Sequence, residues 1–165
     1  MPRSRPTLHL FCGKIAAGKS TLAACLARRP RTVLISEDRW LKALNDDELT
    51  TGADYMRAST RLQGALGPHV ADLLRAGVSV VLDAPANTHA QRAWLRDLIR
   101  ATECPHRLHL LTPPDAVLLE RLRARNASGT HPFTVSEEMF RRFARAFDPP
   151  APDEGFFVIP HGQQA

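Results

Sequence analysis

Gly13-Lys14-Ile15-Ala16-Ala17-Gly18-Lys19-Ser20, with Thr21 directly after it, fits the pattern G-x-x-x-x-G-K-[ST] of a phosphate-binding loop. A pattern this short is decided by its surroundings. Residues 7–12 ahead of it read as a buried strand, and residues 20–27 behind it as a helix. Strand, loop and helix in that order are what the pattern needs to work.

Each residue of the loop then has an expected task. Gly13 and Gly18 are expected to free the backbone, so that the N–H groups of the intervening Lys14, Ile15, Ala16 and Ala17 converge on an anion. The helix starting near Lys19 adds the partial positive charge of its N-terminus. Lys19 is expected to reach the β- and γ-phosphates of a nucleoside triphosphate, Ser20 to supply a hydroxyl to Mg²⁺, and Thr21 to complete the loop.

The rest of the chain sets the frame. Its 165 residues suit one domain, 1–165, that buries roughly two-thirds of its unfolded surface. Apolar residues at 44% and charged residues at 24% are an ordinary globular balance, which argues against disorder and against a membrane span. The start is basic but lacks the apolar stretch of a signal peptide, so a cytoplasmic protein is expected. Cys12, Cys25 and Cys104 are odd in number and lack metal-like spacing. Cys12 and Cys25 are expected in the core as small hydrophobes. The net charge of +5, carried almost wholly by arginine, suits an anionic substrate, a nucleic acid or simply solvated helix faces.

Strands are expected at 7–12, 32–35, 78–82, 107–111 and 156–159. Helices are expected at 20–27, 40–44, 53–76, 88–101, 114–126 and 135–147, with Pro68 kinking or dividing the third. Alternating elements predict an α/β, three-layer P-loop NTPase fold. Its parallel sheet has about five strands, helices cover both faces, and a short lid lies at about 121–134. Ligands of such sheets sit at the carboxyl ends of the strands.

Those ends select the other candidates. Asp38, past the second strand, is expected to act as general base toward an acceptor hydroxyl, or to cap the helix after it. Asp83, ending the third strand, stands where an acid would hold Mg²⁺, or else faces the acceptor. Arg39, Asn87 and Arg92 are further candidates for contact with the substrate. Arg121 and Arg125 share a helix face ahead of a lid-like stretch, and either could neutralise the transferring charge.

Residues 13–21, Ser36-Glu37-Asp38-Arg39, Leu82-Asp83-Ala84 with Asn87 and Arg92, and residues 121–126 together resemble the small P-loop kinases. That group includes AAA-type ATP-binding domains, polynucleotide 5′-kinase, gluconate kinase, chloramphenicol phosphotransferase and the zeta toxins. The resemblance implies ATP as nucleotide, Asp38 as base for the acceptor and lid arginines on the ATP phosphates. The expected activity is Mg²⁺-dependent transfer of the γ-phosphate of ATP to a hydroxyl of a small polar substrate. A polynucleotide 5′-hydroxyl kinase and a nucleotide-binding regulatory module with weak ATPase activity are the alternatives.

Overall fold

A computed structural model of the protein describes residues 5–45, 48–131 and 133–162. Five strands form one parallel sheet in the order β2-β3-β1-β4-β5: β1 Leu8–Cys12, β2 Thr32–Ser36, β3 Ser79–Pro85, β4 His106–Leu111 and β5 Val158–His161. The helices are α1 Lys19–Leu26, α2 Glu37–Asn45, α3 Gly52–Arg75, α4 His89–Thr102, α5 Asp115–Ser128 and α6 Glu137–Arg145. This is the three-layer P-loop NTPase α/β fold.

The central strands alternate between two apolar layers, as burial on both faces demands. Leu8, Leu10, Cys12, Val80, Leu82 and Leu108 face α3 and α4, meeting Leu62, Leu66, Val70, Leu95 and Leu98. Phe11 and Val81 face α1 through Ala23 and Leu26, while Leu111 packs with Leu118, Leu122 and Phe140 of α5 and α6. Pro68 neither divides nor ends α3, which runs unbroken for 24 residues. Its ring lies on the exposed side, and the Thr51–Asp54 capping box holds the helix start. Cys12 is buried as expected, but Cys25 is exposed, because it lies on the face of α1 turned away from the sheet. The last strand begins at Val158, two residues later than the expected start at Phe156, and runs on to His161. No helix among the described residues is long and apolar enough to cross a membrane.

One polar row interrupts the apolar layer. His9 Nδ1 lies 3.0 Å from His109 Nε2, and His109 Nδ1 lies 2.7 Å from His161 Nε2. Burial, with help from Arg29 and Arg107, holds His9 at a pKa of about 4. Burial, then its histidine neighbours, holds His109 at about 4. An unfolded chain takes up these protons near pH 6.5, so it binds more protons than the fold between pH 6.5 and 4. This part of the stability is therefore complete above pH 6.5 and is lost as pH falls toward 4. Urea unfolding at pH 7.5 and 4.5 should differ by on the order of 2–5 kcal/mol. His109→Gln should flatten the difference; a variant as acid-sensitive as the parent would contradict the assignment.

Candidate active site

The loop between β1 and α1 is shaped by two close constraints. Gly13 lies under β4: a Cβ there would meet the Leu111 carbonyl oxygen at 2.6 Å. Close approach, rather than an unusual backbone angle, is what demands glycine at this position. Gly18 has φ 97° and caps α1 from the left-handed region, where a side chain is strained. Ala16 shares that region at φ 65°. Asn87 Oδ1 accepts from Gly13 N at 2.8 Å and pins the loop's entrance. The first turn of α1 has no side-chain cap, so its leading N–H groups remain available to an anion.

Lys19 Nζ lies across the loop, donating to the carbonyls of Gly13 and, at 2.8 Å, Lys14. Burial lowers its pKa to about 8, against the pull of Asp83, Cys12 and Asp38. Lys14 instead turns outward to Asp115 at 2.7 Å, with its ammonium 5.9 Å from the centre of the Phe147 ring. Arg121, largely exposed, donates to Ala17 O at 3.4 Å and so touches the loop from α5.

Sheet register brings the acids together. Ser36 at the end of β2 pairs with Asp83, which does not end β3 as expected, because the strand runs two residues further, to Pro85. The chain turns into α2 at once, so Glu37 and Asp38 occupy the first helical turn, beside Asp83. Asp38 is therefore inside the helix and is not its N-cap. Burial raises the Asp83 pKa, while Ser20 and Lys19 beside it pull the other way. Glu37 is fully buried; it accepts from Ser59 Oγ and from Gln63 Nε2, the latter at 3.4 Å, which ties α2 to α3. Burial raises its pKa as well, and its Oε2 has no hydrogen-bond partner.

The segment expected as a lid, 121–134, approaches α2 and α3 through His131 and Phe133. α5 runs on through Ser128, and Asn126 Nδ2 donates to Val135 O at 2.7 Å, closing the turn; position 132 lies outside the described residues. Arg125 lies near enough to Lys19 and Asp38 for their charges to be felt. Its Nε and Nη2 are buried without a hydrogen-bond partner, and burial lowers its pKa against the pull of Asp38. His131 Nε2 stands 3.8 Å from Asp38 Oδ2, and Tyr55 of α3 donates its hydroxyl to Asp38 Oδ1 at 2.8 Å.

Of the three further residues expected to contact substrate, Arg92 and Asn87 are engaged within the protein and Arg39 is exposed. Arg92 is fully buried and its guanidinium is engaged within the fold: Glu154 at 2.8 Å through both Nε and Nη2, Asp148, and the carbonyls of Ala86 and Pro149. It fastens the segment before β5 to α4, and it holds the Glu154 carboxyl down at about 2. Asn87 serves the loop's backbone, while Thr88 caps α4 through Gln91 N. Arg39 is exposed on α2. Tyr55 and Ser59 carry no motif, and only the pairing of α2 with α3 reveals them.

The fold and the loop define a P-loop kinase-like domain. The AAA domain family matches residues 8–150, and the chain belongs to it. No curated protein sequence matches the chain. Among solved structures, a candidate kinase from Chloroflexus aurantiacus superposes with a TM-score of 0.75 at 22% identity, covering 95% of this chain and 89% of that one. The Mycobacterium tuberculosis APS kinase CysC, in complex with AMPPNP and APS, gives 0.59 at 22% identity over 94% and 88%. A chain of the Pnkp1/Rnl/Hen1 RNA repair complex gives 0.63 at 21% identity over 86% of this chain and 43% of that one. At these identities the likeness is one of fold.

Proposed function

We propose that the protein is an ATP-dependent phosphotransferase that moves the γ-phosphate onto a hydroxyl of a small polar substrate. The observation that carries this reading is Arg125. A half-buried guanidinium with two unpartnered nitrogens, within electrostatic reach of a phosphate-loop lysine and of a carboxylate, suits a charge that develops among them. A module that only holds nucleotide needs the loop but not an acid opposite it.

The loop amides and Lys19 bind the β- and γ-phosphates, and Arg121 steadies the loop from α5. The Ser20 hydroxyl and Asp83 carboxylate are hard oxygen donors side by side, and a cation would relieve the burial that raises Asp83. They fit Mg²⁺, which when bound supplies charge neutralisation on the phosphate oxygens. Asp38 orients the acceptor hydroxyl and accepts its proton as the oxygen attacks phosphorus. Arg125 and Lys19 neutralise the equatorial oxygens during transfer. Asn87 and Arg92 belong to the scaffold in this reading, and Arg39 to the rim.

γ-Labelled ATP offered with Mg²⁺ to sugars, nucleosides, adenosine 5′-phosphosulfate and a 5′-hydroxyl oligonucleotide tests the reading. Label is expected on a small-molecule hydroxyl, at a rate that varies little between 50 and 200 mM salt. Transfer to the oligonucleotide that falls steeply with salt would instead make the protein a nucleic-acid kinase. Tight ATP binding with label on none of them would mark a regulatory module.

A further inference from the structure

Asp38 is gripped from two sides, and the two grips differ in kind. From α3, the Tyr55 hydroxyl donates to Oδ1 at 2.8 Å; from the lid, His131 Nε2 faces Oδ2 at 3.8 Å, too far for a hydrogen bond. The Tyr55 ring meets Phe133 of the lid edge-on, with centroids 5.7 Å apart and planes at 87°. Tyr55 thus joins the floor of the site to its lid at the very residue proposed as base.

We infer that Tyr55 is a positioning residue for phosphoryl transfer: its hydroxyl occupies Oδ1 of Asp38 and leaves Oδ2, on the lid side, to take the acceptor's proton. The ring contact with Phe133 couples that alignment to the position of the lid. This rests on Asp38 being the base.

The chemistry follows from which lone pairs remain. A carboxylate whose Oδ1 is engaged presents its basicity through Oδ2. As the acceptor O–H bond breaks, its proton moves to Asp38 Oδ2, and the oxygen's electron pair forms the new bond to the γ-phosphorus. The bond from that phosphorus to the bridging oxygen breaks, and ADP leaves with the electron pair. Tyr55 does not exchange its own proton. Burial, then the Asp38 and Glu37 carboxylates, push its pKa up, so it remains a donor wherever the enzyme works. A donor held on a carboxylate favours the ionised form. Asp38 stands among groups of both signs: Glu37 of α2 and Asp83 of β3 on one side of the balance, Lys19 of α1 and Arg125 of α5 on the other, with His131 facing Oδ2.

Tyr55→Phe keeps the ring against Phe133 and removes only the hydroxyl. The probe is γ-labelled ATP with Mg²⁺ and water as acceptor, which needs no knowledge of the natural alcohol. Tyr55→Phe should lower kcat about 10-fold while leaving KM for ATP within about twofold, the scale of one hydrogen bond to a charged group. Phe133→Leu, which keeps the hydroxyl but loses the ring wall, should show part of the fall in kcat. If Asp38→Asn lowers kcat but Tyr55→Phe leaves kcat at the wild-type value, or lowers kcat and raises KM for ATP equally, the role of Tyr55 is overturned and the kinase reading stands. If Phe133→Leu alone is silent, the coupling to the lid is overturned. If Asp38→Asn turns over like wild type, the base assignment fails and this inference falls with it.

Discussion

Lys19→Ala should lower phosphoryl transfer by on the order of 100- to 1,000-fold and weaken ATP binding about 10- to 100-fold. The binding loss is that of a charge-assisted contact to phosphate; the larger kinetic loss arises because charge on the γ-phosphoryl oxygens grows during transfer. Isothermal titration with ATP and Mg²⁺, beside initial rates, separates the two. The environment of Lys19 adds a signature that a surface lysine would not give. Burial lowers the pKa of its ammonium to about 8, even though it donates to the Gly13 and Lys14 carbonyls. Phosphate binding raises that value, since an anion favours the charged form. ATP binding at pH 8.5 should therefore draw a proton from the buffer, and affinity should decline as pH rises above 8. The proton uptake, read from titrations in buffers of different ionisation enthalpy, should vanish in Lys19→Ala. Uptake that persists in the variant would place the titrating group elsewhere.

Asp38→Asn should lower transfer about 10²- to 10⁴-fold, the range of a positioned general base. The amide is nearly isosteric and can still accept from Tyr55, so the fold of α2 and α3 is preserved. ATP binding should stay the same or tighten slightly, since Asp38 contributes negative charge near Lys19 and makes none of the loop's contacts. The separation of the two effects is the informative part. Equal loss of binding and transfer would mean that Asp38 is structural, holding α2 against α3 through Tyr55.

Much of this site was legible in the chain, and what was hidden has common physical causes. The loop from Gly13 to Thr21 declares itself because an anion site made of backbone needs glycine at particular places, and the strand before it and helix after it are strongly patterned. Asp38 and Asp83 were reachable from strand ends alone, because a parallel sheet places its ligands there. Arg125 was reachable from helical spacing, although only its burial separates it from Arg121 and Arg123. Arg123 pairs with Glu137 at the surface. Arg92 shows the opposite case. An arginine after a strand end looks like a substrate ligand in one dimension, and its partners Glu154 and Asp148 lie 62 and 56 residues away. Tyr55 was hidden for a related reason. It sits in the first turn of a helix whose apolar period announces only packing, and its bond to Asp38 exists only once α2 and α3 are paired.

The central claim is that the loop, Asp38 and Arg125 surround one in-line transfer. A crystal structure with ADP, Mg²⁺ and aluminium fluoride tests it most directly. Arg125 and Lys19 should both donate to the fluorides, and the oxygen apical to the metal fluoride, opposite ADP, should lie within hydrogen-bond reach of Asp38 Oδ2. A complex in which the fluoride is held by the loop alone, with Arg125 still unpaired and Asp38 away from the apical oxygen, would contradict it.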